Sequence, residues 1–270
     1  MGNHKETSRE TVPEERALGH EKLHVYQRAL AFVSWEAALL AGIEGDAAVL
    51  DHLDRASDSI VEAIANGNSR RSPEDRNRYF DVATGSALEC AACLDVCARK
   101  QLVSGEKQTE GKGMLLPIVR MTIGLRAGRG AVVREEGEPY LAGAQGQAEA
   151  LFFHEKLDAY QLGLDLVGWL DGVLRQRSVA PRSAAGLDKA TTSLVLNIAE
   201  GNGRYSNTDH RRFLDIALTC AMNTAAGLDL LAAKGGIRVE QVVEGKRILG
   251  RIVPMLLGLR GYLERSETKT

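Results

Sequence analysis

The sequence predicts an all-α protein made of two tandem up-down-up-down four-helix bundles, and three observations predict it. The chain matches itself without a gap at an offset of 134 positions. Apolar residues recur at 3-and-4 spacing in four stretches of each copy, the period of a helix with one buried stripe. Ala and Leu are abundant while aromatics make up 5%, which favours helix over a β-sandwich. The copies are expected at 20–130 and 151–265, with a polar, disordered tail over 1–19 and a Gly-, Ala- and Glu-rich linker over 131–150.

The duplication begins at His20-Glu21-Lys22-Leu23, which falls on His154-Glu155-Lys156-Leu157, and continues through Tyr26/Tyr160, Leu30/Leu164 and Trp35/Trp169. About 30 of the 80 pairs over 20–99 are identical. The stretch around which each copy is organised is Asn197-Ile198-Ala199-Glu200-Gly201-Asn202-Gly203-Arg204, which falls on Ala63-Ile64-Ala65-Asn66-Gly67-Asn68-Ser69-Arg70, where copy 1 has lost the Asn and the Glu. Self-similarity on this scale marks one structural unit written twice.

Within each copy, helix 1 is predicted over about 22–42, where Leu23, Tyr26, Leu30, Val33 and Ala37 share a face. Helix 2 follows over about 47–66, with Leu50, Leu53, Ser57, Ile60 and Ile64 inward and Gly67 placed as a left-handed C′ residue. Helix 3 has the clearest start, because Ser72-Pro73-Glu74-Asp75 supplies an N-cap, Pro at the first helical position and a carboxylate at the third. Ser206-Asn207-Thr208-Asp209 repeats the device. Helix 4 is predicted over about 110–128 and 238–264, and Pro117 and Pro254 should kink it. Short connections make neighbouring helices antiparallel.

Several chemistries are excluded by spacing. Cys90, Cys93 and Cys97 lie on one helical face and face Thr224, Gly227 and Leu231 in the repeat, so they read as small core residues, not zinc ligands. Glu21-x-x-His24 resembles half of a di-iron site, but the second copy offers Glu155 and Asp158 and the helix centres are apolar. No phosphate-binding Gly loop follows a strand, and no Ser or Cys nucleophile comes with a His base. No metal, cofactor or catalytic activity is expected. No continuous apolar run reaches the roughly 18 residues of a membrane span, and 1–19 lacks a signal-peptide core, which leads to a cytoplasmic protein without a membrane partner.

One surface has the residue types for binding. The turn after helix 2 carries Arg204, Tyr205, His210, Arg211 and Arg212 in copy 2, and Arg70, Arg71, Arg76 and Arg78 in copy 1. Arg neutralises phosphate, a Tyr or Arg plane stacks on an unpaired base, and a helix N-terminus attracts an anion. Copy 2 holds sixteen Lys and Arg against thirteen Asp and Glu, so a basic face would be local to it. Asn197, Glu200, Gly201, Gly203 and Gly67 are assigned a structural part: Asn197 and Glu200 tie the turn down by bonding backbone groups.

With these residues in hand, the chain resembles the four-helix bundle proteins linked to intervening sequences of bacterial large-subunit ribosomal RNA, which include the accessory variability proteins of diversity-generating retroelements. The resemblance rests on Glu155-Lys156-Leu157 with Tyr160-Gln161, on the 197–204 turn, on Arg212-Phe213-Leu214-Asp215-Ile216-Ala217, and in copy 1 on Gly85-Ser86-x-x-Glu89. It implies a non-enzymatic binding or scaffold protein, with RNA, a reverse transcriptase or another ribonucleoprotein as partners. It also implies a homo-oligomer, since the retroelement proteins form five-membered rings, although two units per chain do not divide evenly into five. The alternative is a purely structural interaction module with no nucleic-acid role. Arginines joined in one positive face would favour RNA, and arginines paired with Asp and Glu would favour the scaffold.

Overall fold

A computed structural model describes residues 18–43, 48–128, 151–175 and 181–267. Among these, eight α-helices form two bundles: α1 (His24–Leu40), α2 (Ala48–Ser69), α3 (Pro73–Arg99) and α4 (Gly105–Arg126), then α5 (Asp158–Leu174), α6 (Pro181–Asn202), α7 (Asn207–Ala233) and α8 (Val239–Glu267). A one-turn 3-10 helix precedes each copy, at Gly19–Lys22 and Phe153–Lys156. In both copies each helix packs on its neighbours in sequence and the fourth returns to the first, which is the square of an up-down-up-down bundle. The tail up to residue 17 and the linker over 131–150 lie outside the described residues.

Local chemistry explains the helix starts. Ser72 and Ser206 sit in extended backbone and accept hydrogen bonds from the amides of Asp75 and Asp209, at 3.3 and 3.4 Å. Trp35 and Trp169 lean from the first helix of each copy onto the fourth. They fit there because the facing residues are Gly111 and Gly245, where an added Cβ would lie 2.4 and 2.9 Å from the indole Cη2 atoms. Gly67 and Gly201 correct the sequence reading. They lie inside α2 and α6 and let those helices close on Phe80 and Phe213, while the positive-φ glycines are Gly128 and Gly235. The helices run through Pro117 and Pro254.

The two bundles share one apolar core. Copy 1 presents α3 to α5 and α6 of copy 2, and α2 also meets α6. As a result α3 is buried almost all round from Ala83 to Cys97, including the three free thiols. Burial raises the Cys97 thiol to about 12, so these sulfurs stay protonated core groups. Its counterpart α7 packs chiefly on α6 and α8, and it exposes Ile216, Met222 and Leu230. By length and composition α7 is also the one described helix apolar enough to cross a membrane. In this fold one side of it lines a bundle core.

Candidate functional site

The turn after α6 is where the sequence concentrates its signal, and the fold places it against copy 1. Gly203 crosses Gly85 so closely that a Cβ at position 203 would sit 3.0 Å from the Gly85 Cα and 2.9 Å from Leu88 Cδ1. Two backbones approach like this only where side chains are missing. The Arg204 guanidinium lies over Gly85, ion-pairs with Glu200 and caps the Phe213 ring at 4.6 Å. Its side chain is 12% exposed. Next to it Arg126 of copy 1 lies 3.4 Å from the centre of the Tyr205 ring, and its Nε donates to Asp81.

Glu200 is more than a turn-tying acceptor. Burial and the nearby Glu89 carboxylate raise its pKa to about 7, against the pull of Arg204. Glu89 itself lies 3.2 Å from His52. Asn197 donates to the Ser193 carbonyl one turn back in α6, so it secures the helix instead of the turn.

The remaining predicted binding residues scatter. His210 is largely buried and burial lowers its pKa to about 4, so it is neutral at physiological pH and brings no charge to a phosphate. Arg211 faces Glu264 at 3.8 Å, while Arg212 is exposed. In copy 1, Arg70 donates to the Tyr79 hydroxyl at 2.7 Å and covers its ring, Arg76 is half-buried, and Arg71 and Arg78 are exposed. Arg211, Arg212 and Arg260 line an open groove of about 500 Å³ with Thr208, Ile216 and Thr219, but Asp215 in the same groove pairs with Arg260 at 2.6 Å. Of these arginines, Arg204 and Arg211 pair with carboxylates, Arg70 covers Tyr79, and Arg71, Arg78 and Arg212 are exposed.

The cluster that sequence reasoning missed lies at the other end of the same joint. Lys112 Nζ ion-pairs with Asp95 at 2.6 Å and with Glu155 of copy 2 at 2.7 Å. Asp95 also accepts from Gln108 at 2.6 Å and from the Tyr160 hydroxyl at 2.8 Å. Burial opposes the charge on Lys112, but the two carboxylates outweigh it and raise its pKa. His154 is fully buried beside them, stacked on Phe152 and edge-on to Tyr160. Both of its ring nitrogens lack partners, and burial lowers its pKa to about 3.

Asp95, His154 and Glu155 place their ligand atoms within 4.8 Å of one another, a spacing a metal ion accepts. The Lys112 ammonium already occupies the cation position between the two carboxylates, so the donor set fits a built-in cation better than a metal. The signal that could have found this cluster is the repeat: Asp95/Asp229, Lys112/Lys246, Glu21/Glu155 and Tyr26/Tyr160 are identical pairs. Lys100 bonded to Asp188, and Arg175 donating to the Lys100 carbonyl at 2.9 Å, complete the joint.

Comparison with curated proteins and with solved structures returns no match. The profile of one family, described as 23S rRNA-intervening sequence protein, matches at 21–124 and again at 155–258, in the same register as the internal repeat. The two matches span most of the chain, both bundles included, and the protein belongs to the 23S rRNA-intervening sequence protein family as a tandem pair of its units.

Proposed function

We propose that the protein is a non-enzymatic binding scaffold, a fixed pair of four-helix bundles that offers its outer surfaces to a macromolecular partner. The observation that carries this reading is the position of Arg204. The strongest motif of the chain is spent on holding the two copies together, with its arginine paired to Glu200 inside the joint. A chemical role would need titratable groups converging on an accessible cavity. The buried cluster around Asp95 has the groups, but its charges are matched by Lys112 and its place is between helices.

A second reading, contact with RNA, is favoured by the groove of copy 2 lined by Arg211, Arg212 and Arg260. It moves the contact from the turn to the N-terminal half of α7. The test is binding of a mixed structured and single-stranded RNA, titrated over salt, to the whole chain and to Arg211→Ala with Arg212→Ala. The scaffold reading expects no affinity at low salt. Affinity that falls steeply with salt and disappears in the double variant establishes the RNA reading in its place.

A further inference from the structure

The two copies meet once, and each supplies a different half of the joint. Copy 1 supplies a head, the outer face of α3 with Gly85, Glu89 and Asp95. Copy 2 supplies a tail, the face of α6 that buries Thr192 and Leu196 and ends at Glu200 and Gly203. The contact is heterologous, since α3 meets α5 and α6 while α7 makes no comparable contact with copy 1 among the described residues. Such a contact, repeated, extends from copy to copy until it closes or is stopped. Each chain therefore has an unused tail on copy 1 and an unused head on copy 2, at positions fixed by the 134-residue repeat.

Those unused halves are altered where the joint is tightest. The unused tail has Asp58, Glu62, Asn66 and Ser69 where the joined one has Thr192, Leu196, Glu200 and Gly203. The unused head has Thr219 and Asn223 where the joined one has Gly85 and Glu89. A crossing that already leaves a Cβ 3.0 Å from opposing backbone cannot take Ser69 against Thr219. Docking would also bury the Glu62 carboxylate where Leu196 is 2% exposed, at a desolvation cost the joined copy does not bear. Part of the polar end is kept, because Asp229 and Lys246 still pair at 2.7 Å and His20, Glu21 and Tyr26 are retained in sequence, while Ala41 replaces Arg175 and Ala31 and Ala233 replace the Asp165–Arg99 pair. The steric block lies at the glycine end.

We propose that the chain is terminated against its own kind: the duplication keeps one complete joint inside each molecule, and neither outer half accepts a second copy in that geometry. The inference stands on the joint and not on either reading of the partner. It is tested by rebuilding the missing halves in separate full-length chains. One chain carries Asp58→Thr, Glu62→Leu, Asn66→Glu and Ser69→Gly, and the other carries Thr219→Gly and Asn223→Glu, all at exposed positions.

Sedimentation velocity should give the 29.2 kDa mass for the unaltered chain. Each rebuilt chain alone should gain nothing, and the mixture should form a 1:1 complex of twice the mass. Circular dichroism confirms that both variants keep their helices. If two helical variants show no gain on mixing, the proposal is overturned. It is equally overturned if the unaltered chain self-associates and Met222→Asp on the outer face of α7 abolishes this.

Discussion

Helices α3 and α7 descend from one sequence unit, begin with the same serine cap and span the same length, yet they live in different solvents. Both line a bundle with one face. The opposite face of α3 is covered by copy 2, while that of α7 carries Met222 at 52% exposure and Leu230 at 56%. The same ion pair makes the difference concrete. Lys112 and Asp95 are 11% and 5% exposed, whereas Lys246 and Asp229 are 43% and 57% exposed at nearly the same separation. The motif residues of this family unit are defined by what lies against them. Bundle assembly is local to each copy, and the meaning of the outward residues is decided by the neighbour.

That ion pair separates the two copies most sharply. Lys112→Met should destabilise the protein by roughly 3–5 kcal/mol, because it leaves Asp95 and Glu155 buried without their cation. Lys246→Met should change stability by less than about 1 kcal/mol, since an exposed pair contributes little. Urea unfolding followed by circular dichroism measures both, and equal losses would contradict the assigned burial.

A control on the shared interior comes next. Gly111→Ala and Gly245→Ala should each cost about 1–3 kcal/mol by the same assay, because a methyl group meets Trp35 or Trp169 in either copy. Here the copies should agree.

Acid should act through copy 2. His154 is held neutral by burial, its pKa lowered from 6.5 to about 3. The unfolded chain therefore binds a proton that the native one refuses between those values, and the His154 contribution to stability is lost as pH drops below 6.5, while the Glu200 carboxyl, raised to about 7, acts in the opposite direction. The loss reaches roughly 2 kcal/mol at pH 5. His154→Phe should remove that part of the acid sensitivity. The smallest effects belong to the caps: Ser72→Ala and Ser206→Ala should each cost about 1 kcal/mol in thermal unfolding.

The parts legible in the sequence are those set by neighbours along the chain. Helical periodicity, the Ser-x-x-Asp starts and the repeat are local or self-referential signals, and the eight helices, the caps and the tandem organisation follow from them. Gly67 was misread because a glycine near the end of a helical pattern signals a left-handed cap, while here its missing side chain admits Phe80 from the next helix. Arg204 and Tyr205 have the composition of a nucleic-acid surface, and nothing in their own copy reveals that Gly85 and Arg126 of the other copy receive them. The Asp95–Lys112–Glu155 cluster spans three helical segments and both copies, beyond the reach of any spacing rule.

The Gly203–Gly85 crossing should weld the two bundles into one cooperative body. The chain holds two tryptophans, Trp35 in copy 1 and Trp169 in copy 2, so Trp169→Phe and Trp35→Phe give variants in which fluorescence follows one copy at a time. Urea titrations of each, with and without Gly203→Leu, test the weld directly. Each single-tryptophan protein should unfold at the same urea midpoint by fluorescence as by circular dichroism, and Gly203→Leu should separate the midpoint of copy 1 from that of copy 2. Separate midpoints before the crossing is altered, or coincident ones after it, would contradict the claim.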